Sequence, residues 1–389
     1  MTSTPTAGAR PDEVRRHNRT ALLRRLHVGG PCTRAALATE LGLNRSTIKA
    51  LVDGLAESGV VSERVPRARS GAGRPSLLVL PEPLAAVVLA VDIRVEQVAI
   101  ALVGLGGQLL GRDSWNLRGR AGEPAEIITR IIESTRLLAE ELDVRMVAAG
   151  VSVPGVVRRG DGYVHEAPNL KWTDVPLGDR LTGAFGVPVR VGNDAEIAAL
   201  AEHLRGAAKG SLDAVYVSAD IGVGGGVISD GTTLRGTAGY VGELGHMVVN
   251  PDGRPCYCGS HGCWETEVGE LALCRALDLP EHSPRGVVVA ELRGLTATQI
   301  TTTLGDFTRW LTMGLITIVN VFGPELVVLG DLFTALPPPL VAQVATTIAE
   351  RSLVSRAIGG TRLVTSTMGT DAKLIGAAEL AFESVLDTV

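Results

Sequence analysis

The sequence predicts an α/β protein in two unequal parts: an N-terminal winged helix-turn-helix over residues 1–80, and a body over residues 81–389 whose two α/β lobes leave a cleft between them. Three observations predict this. Charge is divided, with 13 Lys+Arg against 6 Asp+Glu in residues 1–80 and 24 against 36 in the remainder, so a head of +7 sits on a body of −12 and the whole carries −5. Helical apolar spacing interrupted by two tight turns fills the head. Beyond residue 84 a pattern of apolar strands followed by amphipathic helices runs twice.

The head is justified element by element. "EVRRHNRTALLRRLHVGG" places Val14, Leu22, Leu23 and Leu26 on one side of a helix that the Gly29-Gly30-Pro31 cluster stops. Thr33 can cap a short second helix, "TRAALATELGL", and Gly42 breaks it. Asn44 then caps a third, with Ile48, Leu51, Val52 and Leu55 inward and Arg45, Ser46, Thr47 and Lys49 outward on its leading turns. A second helix that presents polar side chains at its N-terminal end suits the major groove of DNA, where such residues meet base edges. "VVSERVPRARSGAGRPSLLVL" reads as two short strands around an Arg/Gly-rich loop, a wing whose Arg67, Arg69 and Arg74 could follow phosphates or enter a narrow minor groove. A three-helix packing module with a basic linker is the plainer alternative.

"PEPL" at 81–84 marks the boundary. The strands "AAVVLAVDI", "QVAIALVGL" and "GQLLGRDSWNL", the helix "EPAEIITRIIESTRLLAEEL" and the strand "RMVAAGVSV" compose a first lobe, and the pattern resumes at "DAVYVSADI" from residue 213. With 45% hydrophobic and 20% charged residues the chain has an ordinary globular composition. No apolar run approaches the roughly 20 residues that span a bilayer, and the first 20 residues lack the apolar core of a secretory signal. A soluble, cytoplasmic protein is expected.

Three stretches carry ligand chemistry. In "RVGNDAEIAALAEHL" a strand delivers Asn193 and Asp194 to a helix start, where the helix dipole favours a carboxylate; the same pair is also an ordinary N-cap. "DIGVGGGVISDG", Asp220 to Gly231, is compatible with a phosphate-cradling turn and with a tight hairpin. Five cysteines form an odd set, with three of them crowded behind a histidine as His246-x9-Cys256-x-Cys258-x4-Cys263. One imidazole and three thiolates make a closed tetrahedral set with no open position for water, which points to structural rather than catalytic zinc. Cys32 and Cys274 are expected as small core residues.

Taken in order, the head, "GVSVPGVVRRGDGYVHEAPNLKWTDVPL" (150–177), "VGNDAEIAALAE" (191–202), "GELGH" (242–246), the Cys-x-Cys-Gly-x-x-Gly-Cys-x-Glu segment (256–265), "GPELVVLG" (323–330) and "DAKLIGAAELA" (371–381) resemble the ROK family of repressors, open reading frames and kinases. The resemblance implies an actin-like, ribonuclease-H-like ATPase body closing on a sugar, with lobe 1 at about 85–200 plus the C-terminal helix and lobe 2 at about 201–370. It implies sugar contacts from Asn193, Asp194, Glu243 and Glu265, with His246 between sugar and metal and Gly155 and Asn169 near the sugar. Family kinases carry Asp-x-Gly-Gly-Thr after the first strand, where backbone approaches ATP phosphates. Here Arg94 and Val95 replace the glycines and Glu96 the threonine, and Asp220-Ile221-Gly222 replaces a later Gly-Thr-Gly. Asp194, the kinases' base, is kept. The expectation is therefore a non-enzymatic, sugar-responsive regulator of carbohydrate genes, with repression as the usual sign. Its partners would be operator DNA and a sugar effector; it would form a homodimer or homotetramer and involve no membrane. A sugar kinase that keeps a DNA-binding head is the alternative.

Overall fold

In the computed structural model, which describes residues 11–65, 77–117, 122–281 and 283–388, the head runs α1 (Pro11–Gly29), β1 (Cys32–Thr33), α2 (Arg34–Leu41), α3 (Arg45–Glu57), β2 (Val61–Arg64) and β3 (Leu78–Pro81). The cap residues act as their chemistry dictates. Thr33 accepts the Ala36 amide at 3.2 Å, Asn44 accepts that of Thr47 at 2.8 Å, and Gly42 closes α2 in the left-handed region at φ 64°. The strands pair in the order β1-β3-β2, the small sheet of a winged helix. Arg34 at the start of α2 forks onto Glu63 of β2 through two 2.7 Å bonds and reaches Asp53 of α3 at 2.7 Å, so one guanidinium joins both helices to the wing. The wing tip, with Arg67, Arg69 and Arg74, lies outside the described residues.

The body begins with β4 (Val87–Ile93), β5 (Gln97–Gly104), β6 (Gln108–Asn116), α4 (Pro124–Glu141) and β7 (Met146–Val153). A three-stranded side sheet follows, β8 (Val156–Arg158), β9 (Tyr163–Ala167) and β10 (Trp172–Val175), and then α5 (Leu177–Phe185), β11 (Val189–Asn193) and α6 (Asp194–Arg205). The main sheet has the order β11-β7-β4-β5-β6, with β11, β7 and β4 parallel and β5 and β6 antiparallel to their neighbours. All of β4 is buried, because helices cover both faces, and this is why its sequence shows an apolar run, broken only by Asp92, instead of alternation.

The second lobe repeats that plan. It comprises β12 (Ala214–Ala219), β13 (Val223–Ser229), β14 (Thr232–Thr233), α7 (Trp264–Val268), α8 (Glu270–Ala276), α9 (Arg285–Gly294), α10 (Ala297–Thr303), α11 (Gly305–Phe322), β15 (Leu326–Asp331), α12 (Pro338–Arg351), α13 (Leu353–Ala357), β16 (Arg362–Thr365) and α14 (Ala372–Val385). Its sheet order, β14-β13-β12-β15-β16, matches the first strand for strand, including the two parallel pairings. The doubled strand pattern in the sequence is thus a doubled topology. Cys32 and Cys274 are buried, as their isolation suggested.

Two helices join the lobes. α6 packs on β12 and β13 of the second sheet, α14 packs on β4 and β7 of the first, and the two helices lie against each other. The lobe boundary expected near residue 200 therefore falls inside α6. The head is not loosely tethered either: Leu22, Leu23 and Leu26 of α1 belong to one continuous apolar cluster with Leu374, Ala377 and Phe382 of α14.

The α6–α14 contact is close enough to need a bare backbone. A methyl group on Gly376 would lie 2.0 Å from the Ile197 carbonyl oxygen. Gly→Ala inside a helix ordinarily stabilises by about 1 kcal/mol, but overpacking costs about 1–3 kcal/mol or more. We expect Gly376→Ala to lower the urea unfolding midpoint; a raised midpoint would show that the two helices slide apart freely.

Candidate functional site

The lobes face each other across a cavity of about 400 Å³. The first lobe contributes Gly155 from the β7–β8 turn, Asn169 from the turn after β9, and Asn193 and Asp194 where β11 meets α6. The second contributes Glu243 and His246 from the loop after β14 and Glu265 from α7. All seven residues implied by the resemblance line this one cavity, although they are spread over more than a hundred positions. Asn193 is partly committed: its Oδ1 caps α6 through the amides of Ala195 at 2.9 Å and Glu196 at 3.2 Å, while its Nδ2 donates to the Gly155 carbonyl at 3.0 Å. One amide proton is left for a ligand. Gly155 has φ 113°, and a Cβ there would fall 2.2 Å from the Glu166 carbonyl oxygen, so this turn requires glycine.

Beside Asp194 lies a cluster that was not read from the sequence. The buried ammonium of Lys373, near the start of α14, is 2.7 Å from Asp194, 3.2 Å from Asp220 and 3.2 Å from Asp331. Burial works against its charge, but the three carboxylates more than offset it and hold the lysine well above its ordinary pKa. Asp220 is drawn the other way: despite burial, Lys373, Arg285 and Arg94 keep it well below the usual carboxylate range. Arg285 binds Asp220 directly and lies 3.6 Å from Glu270. The only sequence signal for the cluster was a lysine standing in the small and apolar run of "DAKLIGAAELA".

The altered turns are explained by the same ion pairs. Arg94 lines the cavity with Val95, bonds the buried Asp92 at 2.5 Å and reaches the Thr370 carbonyl. Its charge is spent on Asp92, not on Glu96, which is exposed and is not among the residues lining the cavity. The glycine-rich stretch from Asp220 forms a hairpin between β12 and β13. Asp194, the would-be base, already gives one oxygen to Lys373.

His246, Cys256, Cys258 and Cys263 present ligand atoms that all lie within 4.8 Å of one another. The pairs Cys258 Sγ–Cys263 Sγ at 3.7 Å and Cys256 Sγ–His246 Nδ1 at 3.6 Å are close to the edge of about 3.8 Å that a tetrahedron of 2.3 Å zinc–sulfur bonds has. The donor set therefore fits a tetrahedral cation. Backbone bonds brace it: Cys256 N–H to the Ser260 carbonyl at 2.8 Å, Gly259 N–H to the Cys256 carbonyl at 3.1 Å, and a bridge between Val248 and Cys263. His246 turns Nδ1 to the sulfurs and Nε2 outward, 3.0 Å from the Tyr257 hydroxyl and 3.8 Å from Glu243. Tyr257, placed between two of the cysteines, also lines the cavity and stacks edge-on against the imidazole at 5.2 Å. Glu265 accepts from the Cys256 thiol at 3.0 Å, and its neighbour Trp264 is locked in the core by a 2.9 Å bond to the Trp310 carbonyl. Burial raises the Glu243 carboxyl above its usual range, with His246 acting against the rise.

On the head, Arg45, Ser46 and Lys49 are exposed and Thr47 is half-buried on the leading turns of α3. Ser46 donates to Asn44 at 2.7 Å, and Lys49 is paired with Asp53 at 2.6 Å, which leaves Arg45 as the unpaired cation among these four.

Comparison with known proteins agrees with this arrangement. A profile of the ROK family matches residues 88–384. The chain is 29% identical to the xylose repressor of Bacillus spizizenii over 378 residues, covering 97% of both chains. It is 28% identical to the glucokinase of Halalkalibacterium halodurans over 315 residues, 74% of this chain and 92% of the glucokinase. In fold it resembles the crystal structure of a ROK family transcriptional regulator, a homologue of the Escherichia coli Mlc protein, with a TM-score of 0.79, 24% identity and coverage of 96% of this chain and 97% of that one.

Lys373 is the test of the cleft's electrostatics. Lys373→Met would leave Asp194 and Asp331 without their cation and Asp220 with Arg285 alone, and removing one partner from a buried ionic cluster costs about 3–5 kcal/mol. In the variant the like charges of Asp194 and Asp331 oppose one another without a cation between them, so protonating one of them relieves the repulsion and the variant recovers stability as pH falls, whereas the native cluster, with Asp220 held low, has no such repulsion to relieve. The deficit in urea unfolding free energy is therefore expected to shrink from pH 8 to pH 5; a constant deficit would contradict the assignment.

Proposed function

Because the chain belongs to the ROK family, we propose that it is a sugar-responsive DNA-binding repressor of carbohydrate genes, acting in the cytoplasm as a homodimer or homotetramer. The observation that carries this reading is the joining of a winged helix to a cleft whose two phosphate turns are closed by their own ion pairs, Arg94 with Asp92 and Arg285 with Lys373 on Asp220. A nucleotide's phosphates would have to break both. The head suits a major groove, with Arg45 at base edges and Arg67, Arg69 and Arg74 of the wing on the backbone. No described helix is long and apolar enough to cross a membrane.

In this reading a sugar bridges the lobes. Asn193, Asp194, Glu243 and Glu265 bond its hydroxyls, with Gly155 and Asn169 bordering it from the first lobe and His246 from the second. The cavity is acidic: Glu166, Asp194, Asp220, Glu243 and Glu265 line it against Arg94. A neutral polyhydroxy ligand suits that lining and a phosphate ester does not. Binding favours one separation of the lobes and so shifts the population of DNA-competent heads. A sugar that prefers the incompetent form by about 100-fold supplies about 2.7 kcal/mol, enough to vacate a modestly occupied operator.

A structural zinc ion held by His246, Cys256, Cys258 and Cys263 completes the proposal, its four ligands leaving no position for substrate. The knot fixes His246 at one end and Glu265, two residues past the last cysteine, at the other. It orients the sugar ligands and takes no part in bond-making.

The second reading, an ATP-dependent sugar kinase with a DNA-binding head, rests on the retained Asp194 and on the likeness to a glucokinase. One set of measurements separates the two. The full chain is expected to bind a duplex it selects from a random pool, to release it with a free sugar such as D-xylose or D-glucose but not with the corresponding sugar phosphate, and to produce no ADP from ATP and that sugar. Sugar-dependent ADP would establish the kinase, and a duplex indifferent to every sugar would sink the sensor.

Zinc is tested separately. The purified chain should carry one zinc per protomer by elemental analysis, and Cys258→Ser should lose it and blunt the sugar response while leaving duplex affinity within about threefold. An intact sugar response in the zinc-free variant would remove the knot from the account.

A further inference from the structure

A polar cluster is buried at the seam between head and body, and no part of the reading above uses it. His27, in the last turn of α1, has no exposed side-chain surface. Three body elements meet its imidazole. The Gly106 amide in the β5–β6 turn donates to Nδ1 at 2.9 Å, while Nε2 lies 3.1 Å from Glu379 Oε2 on α14 and 2.9 Å from the guanidinium of Arg205 on α6. The ring lies against Phe382, also on α14, with centroids 4.2 Å apart. Arg205, the last residue of α6, bonds the His27 carbonyl at 3.2 Å and Glu379 Oε1 at 2.5 Å.

The two helices that supply Arg205 and Glu379 are the two that supply the cleft's ion pair. α6 begins at Asp194 and ends at Arg205; α14 carries Lys373 in its first turn and Glu379 and Phe382 further along. The pair is stapled at its cleft end by Lys373–Asp194 and at its head end by Arg205–Glu379, with the Gly376–Ile197 contact between the staples. Along α6 the 12 residues from Asp194 to Arg205 span about 18 Å, and along α14 the stretch from Lys373 to Glu379 spans about 9 Å. A shift of one helix against the other, of the kind a ligand on Asp194 would bias, must reset both staples together. Much of the remaining seam is an apolar cluster indifferent to small rotations, whereas hydrogen-bonded charges have discrete arrangements. Buried ion pairs are also a poor way to add stability alone, since apolar residues of similar volume serve as well.

We infer that His27 is the residue through which the head reads the state of the cleft, with α6 and α14 as the rods that connect them. This rests on the repressor reading and names the route by which its site is coupled to DNA.

A double-mutant cycle on the full chain tests the inference without requiring a known effector. Duplex affinity is measured, on a sequence selected from a random pool, for the native chain, Lys373→Met, His27→Gln and the double variant; Asp194→Asn replaces Lys373→Met if the latter does not fold. The cleft substitution is expected to change the dissociation constant by about tenfold in the native background and by less than about twofold beside His27→Gln, a coupling within the usual allosteric range. Additive effects would overturn the relay. So would loss of all duplex binding in folded His27→Gln and folded Glu379→Gln chains, since the cluster would then be only a support for the head. A native chain that selects no duplex would instead refute the repressor reading, and this inference with it.

Discussion

One buried ammonium sets the geometry of this protein. Lys373 draws together Asp194 from the start of α6, Asp220 from the turn after β12 and Asp331 from the end of β15. Without a cation these acids could not share a buried site, because each charge would stand unshielded in a low-dielectric interior. With it, both lobes, α6 and α14 share a fixed point at the base of the cleft. The consequences reach outward: Asp220 is held for Arg285, Asp194 keeps a single oxygen free for the cavity, and the turns that carry Arg94 and Asp220 are bound to side chains of the same chain.

The opposite wall of the cavity is built on another principle. The loop after β14 and the approach to α7 contain little regular structure, so position there comes from the His246, Cys256, Cys258 and Cys263 cluster, from short backbone bridges and from the buried Trp264. Glu243, His246 and Glu265 thus depend on contacts within one segment, while Asn193 and Asp194 sit at a helix cap. A ligand bridging the two walls joins a part that inherits rigidity from the sheet to a part that inherits it from its knot.

Much of this was legible in the sequence. Thr33, Asn44 and Gly42 identified the head's helix ends because capping is local chemistry, and the buried strands were visible as apolar runs because both faces of each sheet are covered. The resemblance gathered Gly155, Asn169, Asn193, Asp194, Glu243, His246 and Glu265 into one site, and all seven line one cavity. What could not be read were pairings across the fold. Nothing local to Lys373 indicates Asp331 42 positions earlier, nothing near His27 indicates Glu379 352 positions later, and Glu96 looked like a cleft residue only because its register was known and the bend of its turn was not. Asn193 proved to be both things the sequence offered, a helix cap and a cavity residue.

The exchange of covering helices has a consequence for how the chain is made. α14, which is synthesised long after the elements it covers, completes the first sheet by covering β4 and β7 and completes the seam under the head. At about 5–20 residues per second, the winged helix would leave the ribosome many seconds before the surface that couples it to the cleft exists. During that interval the head has its own helix caps and small sheet, while the α1 face that meets α14 and the first lobe's sheet both stay uncovered. The seam beneath the head is thus among the contacts that must wait longest to form, because its two sides lie more than 340 positions apart in the chain.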